Sequence, residues 1–120
     1  MDSEELKART KQFALRVMKL VGALPRTTVG RAIGGQLVRS GTSVGANYRA
    51  ACRARSKAEF AAKLGTVAEE ADEACFWLEL IVEGELLAEK RVASLLDESN
   101  ALTAIFTAAV RTSKLGKNQR

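Results

Sequence analysis

Ser40-Gly41-Thr42-Ser43-Val44-Gly45-Ala46-Asn47-Tyr48 is the one run of consecutive small and hydroxyl residues in an otherwise helix-forming chain. It reads either as a loop that cradles a phosphate or as a thin stretch of helix that other helices approach closely. Periodicity decides between them. Ile33, Leu37, Gly41, Val44, Tyr48 and Cys52 fall within an arc of about 100° at the helical repeat. A loop between Ser40 and Asn47 would break that phase. A phosphate loop also needs a preceding strand and usually a Lys-Ser or Lys-Thr pair, and neither is here. The stretch is therefore predicted to be helix, with Ser40, Gly41, Ser43, Gly45 and Asn47 as structural packing residues.

Each mid-helix glycine costs roughly 1 kcal/mol against alanine. The paired spacing of Gly30 with Gly34 and of Gly41 with Gly45 points to close backbone approach as the compensating gain. Ser40, Ser43 and Asn47 are expected to turn their polar groups onto backbone carbonyls or onto acidic residues of a neighbouring helix. Asn47 is expected to be buried and fully bonded.

Outward from this stretch the chain reads as helix throughout, with a single proline at Pro25 and no alternating β-branched run. A first helix over residues 3–24 carries Leu6, Phe13, Ala14, Val17, Val21 and Leu24 on one face. Asp2 with Glu5 resembles a capping arrangement at its start. A second helix spans 29–54, with Thr27 or Thr28 as its cap. Ser56-Lys57-Ala58-Glu59 is a capping box that opens a third helix over 57–83. Its core stripe is Phe60, Leu64, Val67, Ala71, Ala74 and Leu78, and Gly84 ends it. A fourth helix over 89–114 presents Val92, Leu95, Leu96, Leu102, Phe106, Ala109 and Val110, and Gly116 to Arg120 is expected to fray. Residues 1–120 thus read as one domain, all-α, an up-and-down antiparallel four-helix bundle.

Charge is segregated along the chain. Twelve basic and no acidic residues lie between Lys7 and Lys57, whereas eleven acidic and three basic residues lie between Glu59 and Glu98. On the second helix Arg31, Arg39, Arg49 and Arg53 share a face away from the apolar arc, with Arg55 and Lys57 following. Such a face, with the lysines of the first helix, suits a sequence-independent contact with nucleic-acid backbone. The same charge would also dock an acidic protein partner. Lys63, Glu70 and Trp77, seven residues apart on the shoulder of the third helix, read either as boundary residues or as a seam against another subunit.

No catalytic or metal constellation is evident. Histidine is absent, which removes the commonest general base and metal ligand. Cys52 and Cys75 lie in no C-x-x-C pair and read as small core residues. The expectation is a non-enzymatic protein without cofactor or metal. No apolar run approaches the ~20 residues of a membrane helix. The acidic start Met1-Asp2-Ser3-Glu4-Glu5 is unlike a signal peptide, so a cytoplasmic location without membrane contact is expected.

The run from Gln36 to Ser56, continued by Glu59-Phe60, Lys63-Leu64, Glu70-Ala71-Asp72-Glu73 and Trp77-Leu78-Glu79-Leu80, resembles the signature of a small bacterial family. Its members include proteins encoded in intervening sequences of 23S ribosomal RNA genes, also labelled S23 ribosomal proteins. The resemblance covers nearly the whole chain. It implies a cytoplasmic, non-enzymatic four-helix bundle. Related accessory proteins of diversity-generating retroelements form homopentameric rings with a basic surface and bind nucleic acid and a reverse transcriptase. The resemblance thus implies self-association as a pentamer, a nucleic-acid partner and, as the alternative, a protein partner such as a reverse transcriptase.

Overall fold

The computed structural model describes residues 1–118, with side chains to Lys114. Four helices follow in order: α1 Ser3–Gly22, α2 Thr28–Cys52, α3 Lys57–Glu83 and α4 Glu89–Asn118. Each sequential pair packs together, and α4 returns to α1; among the described residues the diagonal pairs meet only through side chains in the core. This is the up-and-down antiparallel four-helix bundle expected from the periodicity.

Boundaries follow local chemistry. Asp2 caps α1 by accepting from the Glu5 amide at 2.8 Å. The helix ends at Gly22 rather than residue 24, because Ala23 and Leu24 switch to tighter bonds onto Leu20 and Val21 before Pro25. Thr27 caps α2 through the Gly30 amide at 3.0 Å. That helix stops at Cys52, two residues early, where the Arg53 and Ala54 amides bond back to the Ala50 and Ala51 carbonyls.

Ser56 accepts from the Glu59 amide at 3.0 Å. The reciprocal bond of the capping box is displaced by one residue: Glu59 accepts from the Arg55 amide at 3.3 Å. After Gly84 the left-handed position falls on Glu85, with φ 59°. α4 runs on through Gly116 to Asn118, so that part of the expected frayed tail is helical. Gln119 and Arg120 lie outside the described residues.

The core joins Phe13 and Val17 of α1 to Leu37 and Val44 of α2, Val67 and Leu78 of α3, and Val92, Leu102 and Phe106 of α4. Tyr48 is buried with its ring 5.3 Å from that of Phe106. Burial pushes the Tyr48 hydroxyl up to about 12, and the neighbouring Cys52 thiol adds to the shift. Three hydroxyl residues, Thr10, Ser40 and Ser99, are also fully buried. Thr10 and Ser40 donate to carbonyls four residues back, at 2.8 and 3.0 Å. Ser99 instead crosses to the Ala71 carbonyl of α3 at 3.0 Å and accepts from the Cys75 thiol at 3.1 Å.

The Ser40–Tyr48 stretch lies wholly within α2, and its glycines face α1. A Cβ at Gly41 would stand 2.8 Å from a Val17 methyl, and one at Gly45 would stand 3.3 Å from the Thr10 hydroxyl. Gly34 meets Val21 and Leu24 in the same way, and Gly30 meets the Pro25 carbonyl. These contacts draw α1 against α2. The polar residues of the stretch bond within α2 and not across to acidic residues: Ser43 donates to Arg39 O at 2.6 Å, and the Asn47 amide to Ser43 O at 2.9 Å. Asn47 is half-buried rather than buried, since it sits at the edge of the apolar arc.

A candidate nucleic-acid interface

Close packing of α1 on α2 leaves a shallow trough along their outer junction. Its widest part, about 510 Å³, is lined by Glu4, Lys7, Ala8, Lys11 and Gln12 of α1 with Arg49 and Arg53. It continues as a hollow over Thr42, Gly45 and Ala46. Small residues on α2 form the floor because larger ones there would hold α1 away. Lys7 and Lys11 stand on one rim and Arg49 and Arg53 on the other, each pair one helical turn, about 6 Å, apart. Among the described residues the only carboxylate lining the trough is Glu4, which is highly exposed and pairs with Lys7 at 3.2 Å. Four cations against one carboxylate make a site for successive anionic groups. No aromatic side chain lines the trough, so it suits phosphate contact rather than base stacking.

The six basic residues read from the sequence do not form one patch. Arg49 and Arg53 face the trough, and Arg55 and Lys57 follow, exposed, at the same end of the bundle. Arg31 is exposed about 27 Å further along α2, beside Arg26 in a concavity with Pro25 and Gly35. Arg39 turns towards α3, where it meets Glu70 at 3.1 Å and also pairs with Glu73.

Glu73, to which the sequence reading gave no site role, additionally accepts from the Trp77 indole at 3.0 Å. The Lys63, Glu70 and Trp77 stripe is half-buried along the α2–α3 junction, with the polar ends of Glu70 and Trp77 engaged within the chain. The exposed aromatic is its neighbour Phe76, 51% exposed and edge-on to Trp77 at 5.0 Å. The helical wheel held that signal, because Phe76 shares the outer face of Glu69, Asp72, Glu79 and Glu83. Its apolar character alone suggested nothing.

Cys75 is buried and Cys52 half-buried, each a free thiol. Among the described residues, no three His, Cys, Asp or Glu side chains are grouped to hold a metal ion. None of the described helices is long and apolar enough to cross a membrane.

Fold and surface together define an up-and-down helical bundle with a cation-rimmed trough between its first two helices. The chain belongs to the family of 23S rRNA-intervening sequence proteins, whose profile matches residues 4–108. It is also similar to a protein of unknown function from the S23 ribosomal protein family of Bacteroides thetaiotaomicron. That crystal structure shares 31% identity and a TM-score of 0.84, covering 92% of this chain and 99% of its own. No curated protein matches the chain.

Proposed function

We propose that this chain is a non-enzymatic, self-associating bundle of the cytoplasm that binds nucleic-acid backbone through the α1–α2 trough. The observation that carries the reading is the pairing of Lys7 and Lys11 with Arg49 and Arg53 across a floor of small residues. Such an arrangement meets phosphates from both sides without reading bases. Structured RNA is the first candidate, in keeping with the family's connection to intervening sequences of 23S rRNA. Arg55 and Lys57 extend the contact, whereas Arg39 contributes less because two carboxylates already neutralise it.

Self-association is supported by two unlike exposed surfaces. Phe76 stands among Glu69, Asp72 and Glu79 on α3, while Leu15 and Met18, each about half exposed, stand beside Lys11 and Lys19 on α1. Surfaces that complement one another in this way favour head-to-tail contacts, which close into rings when the rotation permits. A pentamer is the ring that the family resemblance implies. A 12.9 kDa particle by light scattering at micromolar concentration would refute self-association.

Binding of a structured RNA across a salt series tests the nucleic-acid reading. Affinity should fall steeply with salt, and Arg49→Glu with Arg53→Glu should abolish it while Arg39→Gln should change it little. Affinity independent of salt would overturn the proposal. The competing reading is an accessory subunit whose basic surface docks an acidic protein, such as a reverse transcriptase. Loss of such a partner in pull-downs with unchanged RNA affinity in the double variant would favour it.

A further inference from the structure

The glycines that draw α1 onto α2 leave its other flank open. α1 meets α4 far less closely than it meets α2. Two side-chain bridges span the seam. Arg9 grips Glu98 through two bonds of 2.7 Å, and Arg16 donates to the Ser94 hydroxyl at 2.8 Å.

Beyond Ser94 the seam widens into a crevice of about 390 Å³, within the range of small-molecule sites. Leu20, Leu87 and Leu95 form its floor, with Arg16, Lys19 and Arg91 around it. Leu87 and Leu95 are buried core members. None of the three cations forms an ion pair among the described residues. Glu98, a carboxylate whose charge Arg16 reaches, is already held by Arg9.

An apolar floor under unpaired cations calls for a ligand with both characters. We propose that this crevice binds a small amphiphilic anion, a medium-chain carboxylate or alkyl phosphate. Its head meets Arg16, Arg91 and Lys19, and its chain lies on the three leucines. From Arg16 to Ala23 the crevice runs about 10 Å along α1, comparable to the reach of an octyl chain. Nucleic-acid backbone does not fit this description, since it brings charge with no aliphatic tail to cover the leucines. The site is separate from the α1–α2 trough and stands or falls independently of it.

The test is a titration of the full-length protein with hexanoate, octanoate, decanoate and octyl phosphate below their micelle concentrations, followed by calorimetry and amide chemical shifts. One ligand per chain should bind, with affinity rising about fourfold per added CH₂ until the chain outruns the crevice. Shifts should centre on Leu20, Ser94 and Leu95. Octyltrimethylammonium and octanol should bind at least tenfold more weakly than octanoate, and inorganic phosphate should not displace it. Arg16→Gln with Arg91→Gln should weaken octanoate more than tenfold at unchanged helicity.

Equal binding of the cationic amphiphile, shifts centred on Lys7 and Arg49, or no saturation by octanoate or decanoate at millimolar concentration would each overturn the proposal. Should the double variant fail to fold, the chain-length series and the comparison of headgroup sign decide it on the native protein.

Discussion

Gly35 and Gly41 sit in the same helix and meet opposite surroundings. A Cβ at Gly35 has nothing within 4 Å, whereas one at Gly41 would press on three carbons of the buried, β-branched Val17. Gly35→Ala should therefore stabilise the fold by about 0.5–1 kcal/mol, the ordinary helix-propensity gain. Gly41→Ala has the same gain available but overpacks a stiff contact that costs about 1–3 kcal/mol, so its net effect should be destabilising. Urea midpoints moving in opposite directions would confirm the contrast; two stabilising substitutions would show that α1 yields freely. Helical spacing placed Gly41 in the apolar arc and Gly34 in a four-residue glycine pair, and left Gly35 out of both. It did not identify α1 as the helix they approach, because spacing within one helix carries no information about its neighbour. Nor did hydropathy expose Thr10 and Ser99 as core, whereas Ser40 was legible from its place among the small residues of α2. Their hydroxyls bond to carbonyls and so are buried without an unmet polar group, a possibility that average polarity conceals.

Element boundaries were legible where a side chain could cap an exposed amide, as at Asp2, Thr27 and Ser56. They were less so at the ends of α1 and α2, where the last turn tightens through backbone bonds alone. The α1–α4 seam was not legible. Arg9 and Glu98 lie 89 residues apart, and only the closure of the bundle makes them partners. Their two-pronged, partly shielded contact holds the Glu98 carboxyl below its ordinary value of 4.5, chiefly through the Arg9 hydrogen bond. A carboxyl depressed by folding adds stability that is present above its unfolded pKa and is lost as pH falls through the folded one. Glu98→Gln should accordingly lower stability by about 1 kcal/mol at pH 7. The deficit should shrink as the pH falls below 4.5, where the native carboxyl also takes up a proton. Denaturant midpoints of the two proteins should therefore converge in acid. A difference independent of pH would mean that shape, and not charge, supplies the effect.

At the scale of the molecule, charge segregated along the sequence becomes charge segregated in space, but not as the single arginine face that a wheel suggests. α2 hands Arg39 to the carboxylates of α3 and keeps Arg49 and Arg53 for the trough with α1. Salt dependence measures that division. Four trough cations together with Arg55 and Lys57, each displacing a counterion from duplex, would give a log–log slope of at most about −5.4 per chain, and about −4.2 for single strands. Replacing Arg49 and Arg53 with Gln should bring the slope closer to zero by about 1.8 on duplex. Arg39→Gln should leave the slope unchanged and appear instead as lost stability, because it leaves Glu70 without its cation and Glu73 with the Trp77 indole alone. Self-association then enters the same measurement. Chains joined in a ring present their troughs to one nucleic acid together, so the slope should exceed the single-chain ceiling and fall back to it under Phe76→Glu. This substitution removes the apolar side chain that would meet Leu15 and Met18 and sets a carboxylate against their methyl groups, so it should weaken assembly while leaving the trough residues unchanged. A slope within the single-chain limit for the assembled native protein would mean that each bound nucleic acid is served by one trough.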